Sequence, residues 1–311
     1  MKSDNIGSAQ EQFDEDQDLH LNLTKEDYSK KIKLFKMHEA PHYVQFAFIS
    51  DGYRICTSYT QVFKSALVWH KDTLDMYTTL LSGIFSIVLL RFAFWSLPQL
   101  SWDDDREGLF VFLIQFGNPF FHVPASFFYH LIGHSAISYA AFKWTKAIDY
   151  LVIFWSSLFL SIGLAYYSLY HQPHLMFTAI GLVTGLSIRV SFTLFDEKSN
   201  STRVKEVGTL AFSYFIPVFY NIFCDLYYRQ ELSVMSSWGI CAVISLAAGS
   251  LFYGKKFPER YFPNPPITGH SLMHLTVLTG EIKKKICAIP DSYANSTLLA
   301  SHHLFPCKKK N

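Results

Sequence analysis

Polar and apolar positions are segregated into blocks along this chain instead of alternating. Six windows of mostly apolar residues run over 76–97, 109–131, 148–170, 175–194, 207–227 and 234–253. A bilayer core of about 30 Å takes about 20 residues per helix at 1.5 Å rise each. Each window is therefore read as a membrane-spanning helix. A seventh window, 267–282, is shorter and ends at Glu281 and Lys283–Lys285. The pattern predicts an all-α integral membrane protein, a seven-helix bundle over 71–282 whose seventh helix is short and need not cross fully. Residues 1–70 read as an N-terminal tail and 283–311 as a polar C-terminal tail.

Composition agrees. Half the residues are hydrophobic and 17% are charged, against about 25% charged in an average soluble domain. This argues against a soluble enzyme, a disordered chain or a nucleic-acid binder, and a net charge of +2 gives no sign of a polyanionic partner. The five cysteines are scattered with no CxxC spacing, which argues against a disulfide framework or a thiolate zinc site. The first 19 residues have no apolar core, so insertion is expected to depend on the first internal span.

Charge then divides the tail and sets an orientation. Residues 1–24 are acidic and read as disordered. Lys25, Lys30, Lys31, Lys33 and Lys36 surround Ile32, Leu34 and Phe35, so 25–40 reads either as a basic amphipathic segment on an anionic lipid surface or as a solvated charged helix. The loops after spans 2, 4 and 6 carry two, three and three basic residues, and the loops after spans 1, 3 and 5 carry one, none and one. The positive-inside rule places the N-terminus in the cytosol. Arg91 and Arg189 lie close enough to span ends to snorkel, and Pro217 is expected to kink the fifth span.

With that orientation, three distant stretches meet at one depth. The second span carries Ser126 and His130, four apart on one helical face. The third starts at Asp149. The seventh starts with His270 and His274, again four apart. Two histidines at this spacing can share one metal, and a third from another helix completes a three-histidine zinc site with one open position. Zinc there lowers the pKa of water bound to it. Asp149 can take a proton from such a water and Ser126 can hydrogen-bond a ligand. Blander readings stand beside this one: a purely structural metal, a serine bonded to its own backbone, an aspartate favouring a helix start. His134, His171 and His174 read as facing lipid headgroups.

Four motifs carry a family resemblance. They are ISDGYRICTSYTQVFKSAL before the first span, His70-Lys-Asp-Thr-Leu-Asp-Met-Tyr-Thr-Thr79, Ser126-x-x-x-His130 with Ile148-Asp149-Tyr150, and PERYFPNPPITGHSLMH. Together they resemble the progestin and adipoQ receptor family, the adiponectin-receptor-like or haemolysin-III-related proteins. The resemblance implies zinc on His130, His270 and His274, with Asp149 on the water side and Ser126 beside it. It also implies either a signalling receptor, with a lipid or steroid-like ligand, or a zinc-dependent hydrolase of lipid amides such as ceramide. The run FISDGYR and the lead-in KIKLFKMHEA look closest to a branch of the Golgi membrane that holds a Raf-type kinase on its cytosolic N-terminus. The chain departs from the family pattern at Asp75 and Thr79, where the family has Asn and His, and in the spacing from His130 to Asp149. These departures are expected to weaken the enzyme reading. The final Lys308-Lys309-Lys310-Asn311 resembles a dilysine retrieval signal, and a plain basic tail is the alternative. The expected compartment is Golgi or endoplasmic reticulum membrane.

Overall fold

The computed structural model describes residues 32–96, 106–194, 200–262, 264–265 and 267–279. The acidic stretch 1–24, Lys25 to Lys31 and the C-terminal tail 283–311 lie outside the described residues, as do 280–282 of the seventh window.

Helices α2 (Thr73–Ser96), α3 (Arg106–Gly117), α4 (Pro119–Ile132), α5 (Tyr139–Leu169), α6 (Pro173–Phe192), α7 (Asn200–Tyr214), α8 (Ile216–Cys224) and α9 (Val234–Lys255) follow the apolar windows closely. Among the described residues, five helices are long and apolar enough to cross a membrane: Thr73–Phe92, Arg106–Ser135, Tyr139–Leu169, Pro173–Phe192 and Ser236–Lys255. A sixth forms if Lys205–Tyr214 and Ile216–Arg229 act as one span bent by 41°. The bend falls at Phe215, just before Pro217, where the sequence places it. A proline near a helix start removes an N–H that has no intrahelical acceptor anyway. The last helix among the described residues, α10, covers 269–279, within the seventh window.

At 31 residues, α5 is about 46 Å long, and it is the hub, packing on α3, α4, α6, α7 and α8. Phe154, Leu158, Leu160 and Leu164 of α5 join Val183, Val190, Leu210, Tyr214, Phe215, Val218 and Ala242 in the main core. The outer faces carry Ile84, Val88, Trp95, Phe177, Phe192, Ile244 and Leu251, all exposed. So broad an apolar exterior is stable only in lipid. Arg91 and Arg189 sit on that exterior, as snorkelling requires.

Folded structure begins well before residue 71. Leu34–Phe35 (β1) pairs antiparallel with Tyr53–Arg54 (β2). Phe35, Ala40, Val44, Ile49, Tyr53 and Ile55 bury against Ala136 of the bundle. A short helix, α1 (Tyr59–Ser65), is capped by Ser58, whose side chain accepts from Gln61 N–H. Cys56 N–H donates to the Ser135 carbonyl at 2.9 Å. Residues 32–70 therefore form a cap seated on one end of the bundle.

Candidate metal centre

The cap sits over the end of α4, where the chain must reverse direction. A 3-10 turn over Gly133–Ser135 and the left-handed residue Ala136 make that reversal, and Ser138 caps the start of α5 by accepting from Ala141 N–H at 3.1 Å. The pair Ser126 and Asp149 are hydrogen-bonded, and Asp149 Oδ1 keeps no partner.

The start of α10 is also fixed locally. Thr268 Oγ1 accepts from Ser271 N–H at 3.1 Å and so caps the helix. Glu259 Oε2 accepts from Gly269 N–H at 2.6 Å, and its charge favours a helix start. Glycines bring α10 close to α9. A Cβ on Gly269 would lie 2.5 Å from the Phe252 carbonyl oxygen and 2.7 Å from that of Phe257. A Cβ on Gly249 would collide with the Thr276 hydroxyl.

This packing brings His130, His270 and His274 together. Each offers a ring nitrogen, and the three lie within 4.8 Å of one another. Ring centroids are 5.0 Å apart for His130–His270, 5.3 Å for His130–His274 and 4.9 Å for His270–His274. A tetrahedral zinc wants about 3.4 Å between ligand nitrogens, a closure that small ring rotations supply. The Nδ1 atoms of His130 and His270 are buried with no hydrogen-bond partner. Three imidazoles so clustered fit a zinc ion, and no carboxylate is needed to complete the set.

Several residues around this centre escaped the sequence reading. Asp75 Oδ1 accepts from Ser271 Oγ at 2.6 Å and its Oδ2 lies 4.0 Å from His130 Nδ1. Thr79 Oγ1 lies 3.4 Å from His274 Nδ1. The signal was partial: an acidic residue inside a span is a functional candidate by default, and Asp75 borders the 76–97 window. The headgroup reading of His134 is corrected: it is buried, 1% exposed, and its Nδ1 is 2.9 Å from Asp72 Oδ1. The cap covers it, and nothing in a single-span pattern announces that cover. His171 and His174 are exposed, as read.

Asp72 anchors a buried charge cluster beneath the cap. Lys71 Nζ is 2.8 Å from its Oδ1 and Arg54 Nη2 is 3.5 Å from its Oδ2. Arg54 also donates to the His130 carbonyl at 2.7 Å and to Ser65 Oγ at 2.7 Å. Burial works against ionisation of Asp72, but Lys71, His134 and Arg54 hold it well below the usual carboxylate range. Asp72, His130 and His134 also cluster closely enough to ligate a metal. Two cations already neutralise that carboxylate, so the three-histidine set is the better metal site.

His70 completes the cluster. Burial, then the Arg54 charge, pushes its imidazole down to about 3. Its folded pKa is thus below the unfolded value of about 6.5. The stability of keeping it neutral is fully present above pH 6.5 and is lost as pH falls towards 3, at about 1.4 kcal/mol per pH unit. Thermal melts in detergent between pH 7 and 4 will show a shallower acid loss in His70→Asn than in wild type. Equal slopes would disprove a neutral buried His70.

A water-sized cavity of about 20 Å³ touches Asp75, His270, Lys71 and Ile49. It adjoins a wider one of about 470 Å³ between the cap and the 264–268 loop, lined in part by Lys36, Trp69, His70 and Asn264.

The sequence model for haemolysin-III-related proteins matches residues 67–283. That is most of the chain. This protein belongs to the haemolysin-III-related family. Its resemblance to the progestin and adipoQ receptors is thereby shown at the level of family and fold. This haemolysin-III-related protein is 23% identical over 266 residues to the ADIPOR-like receptor IZH2 of Saccharomyces cerevisiae, covering 80% of this chain and 82% of that one. It is 26% identical over 249 residues to the uncharacterized protein C30D11.11 of Schizosaccharomyces pombe, covering 75% of this chain. It spans 54% of that second relative's length.

Proposed function

We propose that this protein is a zinc-containing membrane receptor or signalling regulator, with one zinc held by His130, His270 and His274. The observation that carries the reading is the convergence of three imidazoles from α4 and α10 on one point. The relative named as an ADIPOR-like receptor supports the receptor class. When bound, zinc supplies Lewis acidity that activates water and polarises an acyl oxygen. Elemental analysis of the purified full chain tests the reading. About one zinc per chain is expected, and a well-folded protein that neither carries nor takes up zinc would overturn it.

A specific observation favours a second reading, hydrolysis of a lipid amide of the ceramide type. Asp149 is held by Ser126, one helical turn from His130, and its Oδ1 is free to accept a proton. Asp149→Asn is expected to keep zinc and to lose fatty-acid release by about a hundredfold or more. Undiminished release in that variant would remove Asp149 from the chemistry.

The same reading places the N-terminus in the cytosol of a Golgi or endoplasmic reticulum membrane. There the exposed Lys33 and Lys36 of the cap, with the lysines that precede them, meet anionic lipid, and the tail before residue 32 holds a Raf-type kinase. Such a partner belongs to residues 1–31. Residues 32–70 are packed into the cap, so a deletion that reaches past residue 31 disturbs the folded protein.

A further inference from the structure

We propose that α2 supplies the layer that orients two of the three metal-binding histidines, with Asp75 positioning His130 and Thr79 positioning His274. The inference rests on the zinc reading above.

The hydrogen-bond inventory carries it. Thr79 Oγ1 donates its one proton to the Asp75 carbonyl at 2.8 Å. Towards His274 Nδ1, 3.4 Å away, it has only a lone pair to offer. His274 Nδ1 therefore carries the proton, and Nε2 is left for the metal. A parallel argument holds for His130. Ser271 gives its proton to Asp75 Oδ1 and is itself 3.0 Å from Thr268 Oγ1, the cap of α10. This chain of hydroxyls pins the Asp75 carboxylate. Its remaining oxygen faces His130 Nδ1 at 4.0 Å, and that ring nitrogen has no other partner. The gap exceeds a hydrogen bond; closing it by turning the ring gives the Nδ1–H to the carboxylate and leaves Nε2 for the metal, the arrangement that fixes ring orientation in histidine–metal sites.

Orienting, not ligating, is what the distances support. Among the described residues, the donor sets that cluster within 4.8 Å are His130 with His270 and His274, and Asp72 with His130 and His134. Asp75 is in neither. Asp75 and Thr79 are four residues apart and so share one face of α2.

The test measures zinc affinity of the full-length protein in detergent by competition with a chromophoric chelator. The absorption of the Co(II)-substituted protein is recorded alongside. Asp75→Asn is expected to weaken zinc binding by about 10- to 100-fold and Thr79→Val by about tenfold. Thr79→Ser, which keeps the hydroxyl, should stay within about threefold of wild type, separating orientation from folding. The cobalt spectrum should keep its four-coordinate intensity in every variant. Wild-type affinity in both Asp75→Asn and Thr79→Val would overturn the inference while leaving the zinc site standing. A cobalt spectrum in Asp75→Asn that shows a lost ligand would overturn it in favour of direct coordination. Wild type that binds no zinc would remove both.

Discussion

Asp72→Ala will destabilise the protein by about 3–5 kcal/mol, the largest loss expected from a residue that touches no metal. The variant leaves Lys71 and Arg54 buried without their counter-ion. It also strips the partner of His134 Nδ1. Removing one member of a buried ionic group is costly because the survivors stay desolvated. The double variant Asp72→Ala/Lys71→Met should recover part of the loss, because one stranded charge goes with its partner. Denaturant or thermal unfolding in detergent measures both. A single-variant loss below about 1 kcal/mol would mean that water reaches the cluster and that the cap does not seal it.

His270→Ala/His274→Ala will reduce bound zinc from about one per chain to background. Two of three donors go, and a lone His130 cannot hold the ion against buffer. The protein should also lose the stabilisation that zinc gives. Linkage sets that at about 4 kcal/mol when free zinc is a thousandfold above its dissociation constant. Melting wild type and variant with and without zinc separates the two effects: only wild type should respond. Zinc retained at full stoichiometry in the double variant would move the site to the Asp72, His130 and His134 cluster.

What the sequence made legible follows from where the physics is local. Spans 1 to 6 were readable because a lipid-facing helix must be apolar along its length, whatever its neighbours. The spacing of Ser126 and His130, and of His270 and His274, was readable because a helix fixes its own faces. The cap was not. Its two-residue strands carry almost no pattern, and its order comes from Phe35, Val44, Ile49 and Tyr53 meeting Ala136 of the bundle. His134 was misread for the same reason, since its burial is the cap's doing. Asp75 and Thr79 were seen as departures from a motif. Their spacing already put them on one face, but what they point at depends on how α2, α4 and α10 pack.

The seat of α10 has a consequence for genetics. The proposed zinc site can be probed without touching any donor, because Gly249 and Gly269 set how near α10 comes to α9. Their alleles should nevertheless behave differently in a suppressor screen. Gly249→Ala meets the end of a side chain, Thr276, so trimming that residue can restore the fit. Gly269→Ala meets the carbonyls of Phe252 and Phe257, which every amino acid carries. No second-site change of those residues can make room, and only true revertants at position 269 should be recovered.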